Sequence, residues 1–129
     1  MKTLFRVLFF VYLICVMVLC FGNFKGAPEV TLDLWGIPMD KVVHFAIFLP
    51  FPVLAFLAFD QFTETVPQTL LFVGITLVIG ALMGWGTEWG QEHFTDTRQG
   101  DWMDFLADCV GLVVGSIGVA IWDIRKQKR

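Results

Sequence analysis

Two groups of polar residues in this chain place carboxylates beside a cation or an imidazole at helical spacing. The first group is Asp40, Lys41 and His44, and the second begins with Glu88 and Gln91. Carboxylates and imidazoles can exchange protons with a substrate, and together they could hold a divalent metal ion. The sequence contains no diagnostic metal-ligand spacing, so the cofactor stays open. The further members of the second group are Arg98, Asp101, Asp104 and Asp108.

The spacing within these groups predicts polar stripes on helix faces. Asp40 and His44 are four residues apart, and such residues share one face of a helix. Asp101, Asp104 and Asp108 follow one another at intervals of three and four. Because a helix rises about 1.5 Å per residue, Asp108 would lie roughly 10 Å along the helix from Asp101. We therefore expect the stripes to meet in one interior, with Asp108 well below the surface.

The rest of the chain is too hydrophobic for a soluble domain. Of its 129 residues, 57% are hydrophobic and 16% are charged, and the mean hydropathy is +0.71. A soluble domain carries about a quarter charged residues. The net charge is −3 and no basic patch suits nucleic acid, so nucleic-acid binding is excluded. Long apolar runs predict helices that face lipid.

Four such runs predict an all-α, polytopic membrane protein with a bundle of four transmembrane helices in a single domain, 1–129. Each run has about 17 to 20 residues, enough to cross a hydrocarbon core of about 30 Å. The first run is too long for a signal peptide and lacks a small-residue cleavage site, so we expect an uncleaved helix. The predicted spans are about 4–21, 42–59, 69–85 and 105–122.

Prolines predict a bend in this bundle, and the positions of the cations predict its orientation in the membrane. Pro50 and Pro52 predict a bend near Leu49 in the second span. Six cations lie near the two termini and three in the first and third connections, and cations favour the cytoplasmic side. We therefore expect both termini in the cytoplasm and both polar groups at the outer face of the membrane. The terminal cations are Lys2, Arg6, Arg125, Lys126, Lys128 and Arg129.

The order of the polar residues resembles that of the VanZ-like family of small bacterial membrane proteins. The resemblance runs from about Met39 to Gly115. The family takes its name from a protein associated with teicoplanin resistance. The resemblance implies a multi-pass protein of the bacterial inner membrane that serves the cell envelope. The family usually has Asn where Asp108 stands, and an acid there donates a hydrogen bond only when protonated. The matching residues are Asp40-Lys41-x-x-His44-Phe45, Glu88-x-x-Gln91 and Arg98-x-Gly100-Asp101-x-x-Asp104-x-x-Ala107-Asp108-x-x-Gly111.

Two classes of function fit these residues. The first is a pocket that binds a cell-envelope lipid, a glycopeptide or a related anionic group, with membrane lipids as partners. The alternative is a membrane enzyme, a hydrolase or transferase, that modifies a lipid-linked envelope precursor. Transport ranks last, because the ionisable groups gather at one end of the bundle. The expected binding residues are Asp40, Lys41, Gln91, Asp101 and Asp108, and the expected catalytic residues of an enzyme are His44, Glu88, Arg98 and Asp104.

Each polar residue taken singly also has a purely structural interpretation. Asp40 and Asp101 could cap helices, and Arg98 could be a solvated loop cation. Gln91 could form an interhelical hydrogen bond, and His44 could be a satisfied bundle histidine. Glycine pairs at 80/84 and 111/115 have the spacing that lets helices approach closely.

Overall fold

The computed structural model describes residues 1–21, 33–34, 36–94 and 102–129. These residues form an all-α bundle in which four helical spans are long and apolar enough to cross a membrane, as the sequence predicts. A ribbon of two antiparallel two-residue strands precedes the second span. The elements are α1 (Lys2–Phe21), β1 (Asp33–Leu34), β2 (Ile37–Pro38), α2 (Met39–Phe48), α3 (Pro50–Phe59), α4 (Val66–Phe94) and α5 (Trp102–Gln127), with a short 3-10 turn at Asp60–Phe62.

Successive spans run in opposite directions, so the bundle has two distinct ends. At the first end, Lys2 forms an ion pair with Asp60, and the Gln127 side chain donates to the Thr63 carbonyl at 3.1 Å. We call this the termini end, because it holds both ends of the chain. At the opposite end, α1 and α4 finish and α2 and α5 begin. We call it the site end, since both polar groups of the sequence lie there.

The second span is interrupted at Leu49, where the sequence predicts a bend. Pro50 has no N–H to donate, and α2 ends just before Leu49 while α3 begins just after it. The Leu49 N–H still donates to the Phe45 carbonyl at 3.0 Å, so the chain stays helical through the break. Two glycines of α5 pack here. A Cβ at Gly111 would lie 2.5 Å from the Phe45 oxygen, and one at Gly115 would lie 2.5 Å from the Leu49 oxygen.

Helix α4 is longer than the sequence predicts. The predicted span ended at about Trp85, but α4 continues to Phe94. That boundary was wrong, because hydropathy measures preference for lipid and not helix formation. Glu88 and Gln91 lower the hydropathy of this segment, yet both face the bundle interior and are buried. Helix α5 likewise extends past its predicted end to Gln127.

The core is small and the outside of the bundle is apolar. Large side chains such as Ile14, Leu71 and Leu82 are each more than 60% exposed. Soluble monomers rarely expose so much contiguous apolar surface, whereas a helix in lipid does so on its outer face. The bundle is therefore built to be surrounded by acyl chains. The buried hydrophobic cluster is Val16, Cys20, Phe48, Phe51 and Leu112.

A polar cluster at the site end

His44 lies between two carboxylates of α5. Its Nδ1 is 2.9 Å from Oδ1 of Asp108, and its Nε2 is 3.4 Å from Oδ2 of Asp104. His44 extends from the second turn of α2, and the two acids are four residues apart on one face of α5. Only 8% of His44 is exposed. Both ring nitrogens therefore face carboxylates in a largely dry interior.

Lys41 extends the contacts of α2 with α5. Its Nζ lies 2.5 Å from Oδ1 of Asp104 and 2.8 Å from Oδ2 of Asp40. The Lys41 and Asp104 side chains are mostly buried, whereas the Asp40 side chain is 59% exposed. Asp104 thus contacts the ammonium with one oxygen and faces the imidazole of His44 with the other.

Glu88 brings α4 into the same group. Its Oε1 lies 3.7 Å from Nδ1 of His44, and the residue is 7% exposed. One ligand atom each from His44, Glu88 and Asp108 lies within 4.8 Å of the other two. Three helices therefore meet at one point. We call the residues Lys41, His44, Glu88, Asp104 and Asp108 the polar cluster.

Asp108 is the most deeply buried member of the polar cluster. The residue has 0% exposure. Its Oδ1 contacts His44, whereas its Oδ2 has no hydrogen-bond partner among the residues that the structure describes. Helix α4 leaves room for this carboxylate at Gly84, where an added Cβ would lie 3.3 Å from Oδ2. The second oxygen is therefore held in a confined space between α4 and α5.

Gln91, expected to be a binding residue, forms a hydrogen bond between α4 and α1 among the residues that the structure describes. It is 2% exposed, and its Nε2 donates to the Cys20 carbonyl at 2.7 Å. This hydrogen bond joins α4 to α1, which is the structural role that the sequence left open for Gln91. Two other expected site residues, Arg98 and Asp101, lie outside the described residues.

The structure also shows two polar arrangements that the sequence did not predict. One is the contact of Lys41 with Asp104, which joins residues 63 positions apart. The other is a buried group at the termini end around Asp123, which is 3% exposed. Asp123 Oδ2 accepts from Thr69 at 2.5 Å and from Gln127 at 2.9 Å. The four-residue spacing of Asp123 and Gln127 was the available signal, because it places both on one face of α5.

Tryptophans border the site end of the bundle. Trp85, Trp89 and Trp102 are 54%, 44% and 64% exposed. The ring of Trp89 stacks on His93 with a centroid separation of 4.5 Å. Tryptophan is enriched where a membrane meets water, so these side chains indicate that the polar cluster lies near one membrane surface.

Comparisons of the chain with protein-family models, with curated proteins and with solved structures find no match. The chemistry of the polar cluster is therefore the basis for a functional proposal. His44 can take or give a proton, three carboxylates can bind a cation or orient the imidazole, and Lys41 can contact an anion. All five side chains belong to helices, which fixes their relative positions more firmly than loops would.

Proposed function

We propose that this chain is a bacterial inner-membrane protein of the VanZ-like type that binds an anionic group of the cell envelope at the polar cluster. The group would belong to an envelope lipid, a lipid-linked precursor or a glycopeptide. The observation that carries this proposal is a buried ionisable network shared by α2, α4 and α5. Ionisable groups within membrane spans are costly and generally serve function.

Lys41 is the group we propose to contact the anion. Its ammonium is held by Asp104 on the buried side and by Asp40 on the exposed side. An anionic oxygen arriving from the membrane surface would take the place of the Asp40 carboxylate, which is the more exposed of the two partners. Lysine is a common ligand of phosphate, since its compact charge needs no fixed geometry. Asp40 would thus compete with the ligand for one cation.

The proposed orientation places the site end at the outer leaflet. It is supported by six terminal cations against three in the first and third connections. The structure has both termini at the end opposite the polar cluster. An outer-leaflet cluster would meet lipid-linked envelope precursors after they have crossed the membrane.

A membrane hydrolase or transferase is the second candidate, and the position of His44 favours it. An imidazole oriented by a carboxylate is the arrangement that general-base catalysis uses. In this version Asp108 would orient His44 through the 2.9 Å contact, and His44 would take a proton from water or from an attacking hydroxyl. Glu88 and Asp104 would then stabilise the imidazolium that forms.

Binding can be tested with the full chain in detergent and three probes: a polyprenyl phosphate, inorganic phosphate and a glycopeptide antibiotic. Native mass spectrometry would measure the retained ligand. We expect Lys41→Met to weaken binding about tenfold or more, since a hydrogen bond to a charged group contributes about 1.5–3 kcal/mol. Asp40→Asn should strengthen binding, because it removes the competitor.

The termini end supplies matched controls, because Lys2 and Asp60 form a comparable lysine–aspartate pair there. Lys2→Met and Asp60→Asn should leave binding unchanged. Equal losses in Lys2→Met and Lys41→Met would mean that the probe senses net charge alone, and the binding proposal would be wrong. Turnover of the polyprenyl phosphate by the wild type, lost in His44→Asn, would favour the enzyme instead.

A further inference from the structure

We propose that His44, Glu88 and Asp108 form a binding site for one divalent transition-metal ion. Nδ1 of His44 lies 2.9 Å from Asp108 Oδ1 and 3.7 Å from Glu88 Oε1. In a tetrahedral zinc site with bonds of about 2.1 Å, ligand atoms are roughly 3.4 Å apart. The observed separations bracket that value, so small side-chain rotations would bring all three groups to a single ion.

The second oxygen of Asp108 points independently to a ligand. Asp108 is fully buried, and its Oδ2 has no hydrogen-bond partner in the described part of the chain. Buried carboxylate oxygens nearly always have a partner. The oxygen lies beside Gly84, one helical turn from Glu88, where the missing Cβ leaves room. A metal ion bound by both oxygens of the Asp108 carboxylate would satisfy Oδ2 as well as Oδ1.

The surroundings of His44 match those of a metal-bound histidine. A metal-binding imidazole usually donates its other N–H to a carboxylate, which fixes its tautomer and its orientation. With Nδ1 on the metal, Nε2 would donate to Asp104 Oδ2, now 3.4 Å away. Asp104 is itself held by Lys41 at 2.5 Å. Asp104 and Lys41 are therefore positioning residues for the proposed metal ligand.

The ligand types select among divalent ions. Imidazole with carboxylates suits zinc first and manganese second, whereas magnesium prefers oxygen ligands and keeps its waters. Three protein ligands leave a coordination position open, as in zinc sites that receive a substrate. An anionic headgroup could occupy that position. Only this binding of a headgroup to the metal rests on the proposed function.

The test uses the full chain in detergent, stripped with a chelator and free of added envelope lipid. Titration calorimetry with ZnCl2, MnCl2 and MgCl2 would measure affinity, and elemental analysis would count bound metal. We expect one zinc or manganese per chain and no tight magnesium binding. Glu88→Gln and Asp108→Asn should each weaken binding about 100-fold or more. Asp104→Asn should weaken it by roughly 10–100-fold, the usual effect of a residue that orients a ligand.

Two exposed neighbours at the same end of α4 are matched controls: Glu92→Gln and His93→Asn should bind metal as the wild type does. Circular dichroism and gel filtration would show which variants are folded. The proposal is overturned if the wild type binds neither zinc nor manganese at one per chain. It is also overturned if both Glu88→Gln and Asp108→Asn retain affinity, or if a control variant loses it.

Should the ligand variants fail to fold, X-ray absorption on the zinc-loaded wild type decides. One imidazole with oxygen neighbours is expected, and a shell containing sulfur or no imidazole would refute the site. Because these measurements contain no lipid, they can succeed while headgroup binding fails. Repeating the polyprenyl phosphate assay with a chelator tests separately whether the headgroup binds to the metal. Loss of lipid binding when the metal is removed supports a metal-bound headgroup, and lipid binding that persists refutes it.

Discussion

His44 on α2 and Asp108 on α5 share a contact of 2.9 Å across the bundle interior, although 64 residues separate them in the chain. Their separation depends on how closely the two helices approach. The helices approach closely beside this contact, where an added Cβ at Gly111 would lie 2.5 Å from the Phe45 carbonyl oxygen. A glycine without chemistry of its own therefore helps set the geometry of the polar cluster.

Alanine at Gly111 or Gly115 should separate α5 from the second span. The added Cβ would lie 2.5 Å from a backbone oxygen in each case, and backbone cannot rotate away as a side chain can. We expect a loss of about 1–3 kcal/mol in the free energy of unfolding, the usual effect of overpacking. Unfolding in mixed micelles by added SDS would measure it.

Gly118→Ala is the matched control on the same helix, because nothing lies within 4 Å of its Cβ position. There alanine should leave stability unchanged or raise it slightly, given its higher helix propensity. A loss at Gly118 equal to that at Gly111 would show that the close approach is not the cause.

Asp108→Asn should be tolerated by the fold. The asparagine side chain has nearly the same shape and can still accept a hydrogen bond from His44. Asp108→Leu should lose about 1–3 kcal/mol of stability, because the imidazole would be left without this buried partner. Unfolding in mixed micelles distinguishes the two variants. An Asn variant as unstable as the Leu variant would show that the fold needs the charge itself.

Lys41 and Asp104 should show energetic coupling. Either Lys41→Met or Asp104→Leu alone removes one partner of a mostly buried charge, with an expected loss of about 1–3 kcal/mol. The double variant should lose less than the sum, because it removes both charges together. Unfolding free energies of the four proteins in this cycle provide the measurement. Strict additivity would mean that the ion pair contributes nothing.

Gln91→Leu should act on stability and not on ligand binding. It removes the 2.7 Å hydrogen bond to the Cys20 carbonyl, with an expected loss of about 0.5–1.5 kcal/mol. Polyprenyl phosphate binding should be unchanged, since the hydrogen bond of Gln91 goes to α1 and the anion is proposed to contact Lys41. Weakened binding in a folded Gln91→Leu protein would contradict this prediction and support Gln91 as a binding residue.

The orientation of the bundle can be measured with single cysteines placed in a background without Cys15, Cys20 and Cys109. Ile37→Cys, which is exposed before α2, should react with an impermeant maleimide added to intact cells. Gln61→Cys at the termini end and a cysteine added after Arg129 should react only after lysis. The reverse pattern would place the polar cluster at the cytoplasmic face.

The sequence predicts the spans and much of the polar cluster for simple physical reasons. Apolar runs of membrane length form helices because lipid offers the backbone no other hydrogen-bond partners. Spacings of three and four residues then assign polar groups to helix faces. This is enough to predict that the stripe from Asp104 to Asp108 turns inward, and His44 and Glu88 lie within reach of it.

Pairings between helices could not be predicted in the same way. Lys41 meets Asp104 and Gln91 meets the Cys20 carbonyl only because of rotation and depth of neighbouring helices. Packing between helices sets their rotation and depth, and the hydropathy of the sequence does not predict either. The end of α4 was missed for a related reason, since Glu88 appears polar in sequence but is buried in the fold.

The Lys41 ammonium and the His44 imidazole are synthesised before the carboxylates that they contact on α4 and α5. Lys41 and His44 lie on α2, whereas Glu88 lies on α4 and Asp104 and Asp108 lie on α5. During biogenesis, α5 therefore leaves the insertion machinery beside a helix that already carries partners for its carboxylates. Charged groups enter lipid more readily when paired, so the earlier helix would assist the later one. A chain that stops after α4 would lack the Asp104 and Asp108 carboxylates that Lys41 and His44 contact.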